Sequence, residues 1–466
     1  MSEKRHLPTV GQSGLRPSLF ESSIRSDGTR LTVYPADVRG AFDRFRHVAF
    51  YFLIVLWAAL PWIHVGGHPA VFIDVPARAF YLFGRSFNAQ DLWLLFFLVT
   101  GVVFALVAVT AVAGRMWCGW ACPQTVFLEG VFRKFERLIE GTREDRIKRK
   151  QAPWNFDKVI RRAIKHVLYA VSSLLIAHVV LSYFVSLPHM FQMVRQNPSA
   201  HPEAFLWTFA IASVLYFNFA WFREQFCVVM CPYGRLQSAL LDEHSLVVGY
   251  DKARGEPRGK SSDANAGDCV DCRRCVVVCP TGIDIRNGLQ LDCLACTACI
   301  DACDAIMDKL HRKRGLVRYD SQAGLSNIPR KFMRPRLALY AGLAMLGVTA
   351  SAVAFSSRRS FEANALRPPG LPYVVTDGFI DNAFQLHVTN KQAKEESFTI
   401  TSPSGDSEVR LGATSVTLKA MDSVRIPVVV HIARDRFRSG STAIVKIANG
   451  QGHFQTVHLQ LAGPER

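Results

Sequence analysis

The fold class predicted by this sequence is an α-helical polytopic membrane protein with five transmembrane helices, an inserted cysteine-rich module and a C-terminal immunoglobulin-like β-sandwich. Three observations predict it. Five long apolar stretches interrupt the 466 residues, all twelve cysteines lie between Cys118 and Cys303, and short alternating runs fill the end of the chain. Composition agrees: 49% of residues are hydrophobic and the mean hydropathy is +0.13, high for a soluble globule and ordinary for a membrane chain with soluble parts.

Residues 1–46 are polar and lack the apolar core and small-residue cleavage site of an export signal, so this tail is expected to stay in the cytoplasm. A helical span needs about 20 apolar residues. The stretches 47–65, 92–113, 166–187, 204–222 and 337–357 meet that length, and the fourth carries one strongly polar residue, Asn218. The segment 69–87 is apolar but broken by Pro69, Asp74, Pro76, Arg78 and Arg85. It reads as a surface helix rather than a sixth span.

Charge sets the expected orientation. Lys and Arg number 8 in residues 1–46, 13 in 114–165 and 17 in 223–335, whereas the loops 66–90 and 188–203 hold only Arg78, Arg85 and Arg195. Basic loops stay on the cytoplasmic side. The chain is then expected to cross a bacterial inner membrane, with the N-terminus in the cytoplasm, every cysteine at or near the cytoplasmic face and the C-terminal domain in the periplasm. The net charge of +17 is accounted for by topology, and no base-reading module accompanies it, so nucleic acid is not an expected partner.

The cysteines carry the chemistry. Cys269, Cys272, Cys275 and Cys279 precede Pro280 in the run CVDCRRCVVVCP, and Cys293, Cys296, Cys299 and Cys303 follow in CLACTACIDAC. Both have the C-x2-C-x2-C-x3-C spacing of a bacterial-type 2[4Fe-4S] ferredoxin, in which the fourth cysteine of each run reaches the other cluster. One cluster is therefore expected on Cys269, Cys272, Cys275 and Cys303, the other on Cys293, Cys296, Cys299 and Cys279. The second run departs at Asp304, where proline usually stands. Zinc sites pair cysteines in twos and do not account for an interlocked array of eight.

A second motif occurs twice, each time after a pair of spans: CGWACP with Cys118 and Cys122, and CVVMCP with Cys227 and Cys231. Four thiolates gathered from matching hairpins suit Cu(I), zinc or an iron–sulfur centre, or a dithiol that cycles through a disulfide. The following stretches, 125–141 and 233–241, place apolar residues at helical spacing beside basic flanks and are expected to lie on the inner leaflet.

The expected domains are a tail (1–46), a four-helix membrane domain (47–249), a cytoplasmic ferredoxin domain (250–336), a fifth helix (337–357) and a periplasmic sandwich (358–466). Residues 251–268 and 358–370 read as linkers. The closing runs, from FQLHVTN to FQTVHLQLAG, alternate polar and apolar residues between turns, as a β-sandwich does.

Two C-x3-C-P motifs at span ends, a double-cluster ferredoxin, a fifth span and a terminal sandwich together resemble the CcoG (RdxA, FixG) family. The resemblance extends to RAFYLFG (Arg78 to Gly84) and DGFIDNAFQLHVTN (Asp377 to Asn390). NapH and NosR electron-transfer proteins share the C-x3-C-P element but lack the terminal sandwich after a fifth span. The resemblance implies an accessory protein for assembly of cbb3-type cytochrome c oxidase that reduces Cu(II) to Cu(I). Its implied partners are oxidase assembly factors or copper chaperones and a cytoplasmic electron donor. Cys118, Cys122, Cys227 and Cys231 would be the metal-binding and reducing residues. The alternative is a respiratory conduit between quinol and a partner reductase.

Overall fold

A computed structural model describes residues 32–464, except 66, 77, 89–90, 261, 264, 357–358, 393 and 404–406. Most of the predicted tail, residues 1–31, therefore lies outside the described residues. Among the described residues, five helices are long and apolar enough to cross a membrane: Ala41–Trp62, Trp93–Ala113, Phe156–Leu181, Pro202–Phe222 and Pro335–Ser356. The third begins ten residues before its predicted start, because the basic stretch 156–165 is itself helical. The second and fifth spans meet at Gly101 and Gly347, where a Cβ on Gly347 would stand 2.7 Å from Gly101 Cα. Small residues of this kind let two membrane helices approach closely.

The chain folds as two compact units. The first takes in residues up to Ala59, Val99–Leu181 and Met193–Val348, and the second Leu60–Leu98, Ser182–Gln192 and the chain from Thr349 onward. In the first, Phe132 stacks on Phe219 (ring centroids 4.3 Å apart) and meets Tyr169 edge-on at 4.9 Å. Leu128, Phe132 and Ile139 are buried. The apolar face after the first C-x3-C-P motif thus packs against other helices, which corrects the reading of that stretch as a helix lying on the lipid surface.

The cysteine-rich module is closed by strands Val247–Tyr250 and Val317–Asp320, paired antiparallel. Between them lie helices Arg274–Val277 and Ala298–Lys309. Asp304 sits inside the second helix and its Oδ1 accepts from Gly315 N at 2.9 Å. A proline there would break that helix, which explains the departure from the usual run. Residues 251–268 are folded rather than a free linker: Gly259 N donates to Cys269 O and the Arg254 side chain pairs with Asp268.

In the second unit, residues 69–87 are not a surface helix. Strands Val71–Asp74, Ala79–Leu82 and Arg85–Asn88 form a three-stranded antiparallel sheet. Gly84 turns at φ +80°, Phe80 stacks on Phe87 at 4.7 Å, and Pro76 is excluded from a helix interior. The immunoglobulin-like sandwich has one sheet ordered 407–411, 423–433, 379–390 and 361–366, with 374–376 added on 379–390, and a second ordered 415–418, 396–401, 442–449 and 454–460. Inward residues Ile380, Leu386, Val388, Val430, Val445 and Ile447 fill the space between them. Phe361–Leu366, expected as linker, is an edge strand of the first sheet.

Candidate functional site

The two cysteine runs fold alike. In each, the residue before the second cysteine and the one after it adopt left-handed backbone angles: Asp271 (φ 48°) and Arg273 (53°) in one, Ala295 (51°) and Thr297 (65°) in the other. Four non-glycine residues in this disfavoured region, at matching places, mark loops bent around something. Cys269, Cys272, Cys275 and Cys303 line one small cavity. Cys279, Cys293, Cys296 and Cys299 line another, together with Cys275. These are the two sets that the spacing predicts. Backbone N–H groups of Ala295, Ala298 and Val317 donate to the sulfurs of Cys293, Cys296 and Cys303. Soft sulfurs in interlocked fours, around small cavities ringed by N–H donors, suit a cubane cluster.

The four C-x3-C-P cysteines lie in one neighbourhood, although among the described residues no three His, Cys, Asp or Glu side chains stand close enough to bind a single metal ion. Cys118 and Cys122 lie within electrostatic range of one another and of Cys231, and Cys227 faces all three. Burial pushes the Cys118 thiol up to about 12. The local frame repeats: Cys122 (ψ 126°) and Cys231 (ψ 109°) each cap a helix that begins at the following proline. A π-helical turn at Phe226–Met230 carries Cys227, and another at Leu128–Phe132 follows the first motif, an irregularity frequent at functional sites. Cys118 Sγ donates to Gln237 Oε1 at 3.0 Å, and Gln237 is fully buried. Backbone N–H groups of Gln124 and Thr125 donate to Cys122 Sγ.

The motif and the cluster loop are in contact. A Cβ on Gly119 would stand 2.6 Å from Ala295 O and 2.8 Å from Leu294 O, so only glycine allows this approach. Arg46 Nε donates to Gly119 O at 2.9 Å. Trp120 Nε1 donates to Tyr319 Oη (3.2 Å), which donates to Ala295 O (2.8 Å). Arg115 donates to the carbonyls of Leu291 and Cys293 and to that of Gly234, three residues after Cys231, so one guanidinium joins the cluster loop to the second motif. Asp301, between Cys299 and Cys303, accepts from the N–H of Asp43 at 2.7 Å and holds the start of the first span.

A buried ion network ties the two motifs together. Arg223 grips Glu136 through two bonds of 2.8 and 3.1 Å, Arg146 adds a third at 3.2 Å, and Arg133 bridges Glu129 and Glu224. Gln124, just after Cys122-Pro123, donates to Arg223 O at 3.0 Å and accepts from Asn218 at 2.6 Å. This gives the polar residue of the fourth span its partner. Sequence reasoning missed Arg46, Arg115, Gly119, Glu136 and Gln237. Arg115 and Gly119 offered a signal, as a charge and a small residue beside the first C-x3-C-P motif, whereas Arg46, Glu136 and Gln237 offered none.

His64 and His178 each bond through Nδ1 to a carbonyl of a nearby residue in sequence, Trp62 and Leu174.

Five apolar helices and two thiolate cradles define a membrane iron–sulfur protein that transfers electrons and carries [4Fe-4S] clusters. Residues 222–322 match a family described as a 4Fe-4S dicluster domain, and 93–141 with 201–242 match a 4Fe-4S binding domain. Residues 351–464 match the IG-like fold at the C-terminus of FixG. Protein RdxA of Cereibacter sphaeroides is 36% identical over 387 residues, 80% of this chain and 82% of RdxA. RdxB of the same organism is 33% identical over 422 residues, 85% and 87% of the two chains. The nitrogen fixation protein FixG of Rhizobium meliloti is 39% identical over 326 residues, 67% of this chain and 60% of FixG. The chain belongs to the RdxA/FixG family.

Proposed function

We propose that this chain carries single electrons from a cytoplasmic donor to Cu(II) at Cys118, Cys122, Cys227 and Cys231, supplying Cu(I) for assembly of a cbb3-type cytochrome c oxidase. The observation that carries the reading is the contact of Gly119 with the backbone of Leu294 and Ala295, between two of the cluster cysteines. A thiolate site that merely stored metal would have no need to touch a redox centre. Cys269, Cys272, Cys275 and Cys303 hold one cluster, and Cys279, Cys293, Cys296 and Cys299 the other. When bound, these clusters supply one-electron relays. Copper is the substrate: the donor loses one electron, Cu(II) gains it, and soft thiolates favour the Cu(I) product.

The chain's own residues build the route. Gly119 permits the approach, Arg46 and Trp120 hold the motif against the loop, and Arg115 fixes the second motif to the same loop. Gly119→Val is expected to leave iron content unchanged while lowering cupric reductase turnover roughly tenfold or more. Misplacement by about 1 Å at a reacting site costs up to about a hundredfold. Unchanged turnover in that variant would remove the contact from the route.

Copper and the oxidase enter from the family resemblance, and the four cysteines offer soft donors of the kind that Cu(I) prefers. In membranes, Cys118→Ser combined with Cys231→Ser is expected to keep cluster iron and lose most cupric reductase activity. A normal rate in the double variant would make those thiolates structural. The 4Fe-4S description of the match over 93–141 and 201–242 favours a second reading, in which the same four thiolates hold a further cluster. Iron analysis separates the two, at about eight irons for the first and about twelve for the second.

The charge distribution supports an orientation with the ferredoxin module in the cytoplasm and the sandwich in the periplasm. Reporter fusions after Gly141 and Gly255 are expected to be active only in cytoplasmic format, and fusions after Gly370 only in exported format. An exported reporter after Gly255 would reverse the orientation.

A further inference from the structure

A cleft of about 1070 Å³ opens within the second unit, where four separate segments converge: the hairpin tip at 84–86, the end of the fifth span at Phe355 with Arg359–Phe361, the turn at 391–394 and the turn at 451–456. Arg85, Arg359, Lys391, Lys394 and His453 line it, and among the described residues no carboxylate does. Lys391 is neutralised, since its Nζ bonds Asp91 Oδ1 at 3.1 Å and pairs with Glu362. Among the described residues, Arg85, Arg359 and Lys394 appear in no ion pair, and all three are exposed.

Three unpaired cations brought to one cleft from distant points of the chain repel each other, and a bound anion offsets that cost. Arg85 is also one of only two Lys or Arg residues in the inter-span loop 66–90, the other being Arg78. The walls show which anion fits. Phe355 belongs to the last turn of a membrane span, and Phe454, 62% exposed and with the Lys446 ammonium 4.1 Å from its ring centroid, also lines the cleft. The site is amphiphilic, apolar where the span ends and cationic beyond it. Guanidinium groups match phosphate oxygens geometrically.

We propose that this cleft binds the phosphodiester headgroup of an anionic phospholipid, with Arg85, Arg359 and Lys394 on the phosphate and Phe355 and Phe454 against the chains. The site is separate from the cysteine chemistry and does not depend on the copper reading. A lipid held there clamps the membrane-proximal turns of the sandwich to the end of the fifth span.

The full-length protein, purified in a neutral detergent, is titrated with phosphatidylglycerol or phosphatidylcholine, and retained lipid is counted by native mass spectrometry. Phosphatidylglycerol is expected to be retained roughly tenfold or more over phosphatidylcholine, the preference resting on three cations near a charged surface. The combined variant R85Q/R359Q/K394Q loses that preference. R359K keeps it, and R78Q, outside the cleft, leaves it unchanged. Cluster absorbance reports in parallel that each variant is folded. An undiminished preference in the triple variant overturns the proposal. So does complete displacement of the lipid by millimolar inorganic phosphate, which would make the cleft a site for a soluble anion.

Discussion

Cys275→Ser is expected to strip the protein of at least half its iron, from about eight atoms to about four or fewer, and to bring cupric reduction to background. Cys275 is buried and lines both cysteine cavities, so its loss reaches beyond one ligand set. It stands between Cys272 and Cys279, whose sulfurs serve different cavities. A serine hydroxyl is a harder and less acidic donor than a thiol and holds iron poorly. Iron and acid-labile sulfide analysis of anaerobically purified protein checks the first part, and a copper assay in membranes the second. A variant with full iron content would remove Cys275 from the ligand set.

The second large effect concerns stability. Glu136→Gln is expected to destabilise the first unit by about 3–5 kcal/mol, the range for breaking a buried ion pair from one side. The carboxylate is 4% exposed and meets Arg223 and Arg146, which the amide would leave uncompensated among buried helices. Burial alone would raise the Glu136 pKa, but the Arg223 guanidinium opposes that most strongly and holds the group at about 2, against an ordinary value of 4.5. A depressed folded-state value contributes stability above pH 4.5, and the contribution is lost as pH falls from there through about 2. The wild type should therefore lose thermal stability over that window, and the variant should show a flatter profile. Equal acid sensitivity in both proteins would deny the network this role.

How much of this was legible in the sequence follows from how local each feature is. Three cysteines of each proposed cluster come from one short loop, so spacing alone groups them, and the two cavities at 269–303 are lined by the same residues, with Cys275 in both. The spans were legible for the same reason, as continuous apolar runs. Contacts between distant residues were not. Arg115 and Cys293 stand 178 positions apart, and Glu136 and Arg223 stand 87 apart. In a one-dimensional reading Glu136 and Arg133 belong to a solvated amphipathic face, yet both are buried. The segment 69–87 was misread because its apolar clusters satisfy neither a clean helical nor a clean alternating period, and turns at Pro76 and Gly84 decided the outcome. Gly119 was visible as a letter, but its reason lies in the carbonyls of Leu294 and Ala295.

The central claim is that electrons leave the chain at the four membrane-side thiolates and enter copper. The most direct measurement starts from purified protein reduced anaerobically with a chemical reductant, mixed rapidly with Cu(II), while cluster absorbance and a Cu(I)-specific chelator are followed together. Wild type is predicted to reoxidise in step with the appearance of Cu(I), one electron for each copper ion. The Cys118→Ser, Cys231→Ser protein is predicted to stay reduced over the same interval. Reoxidation by a quinone but not by Cu(II), or equal rates in both proteins, would contradict the account.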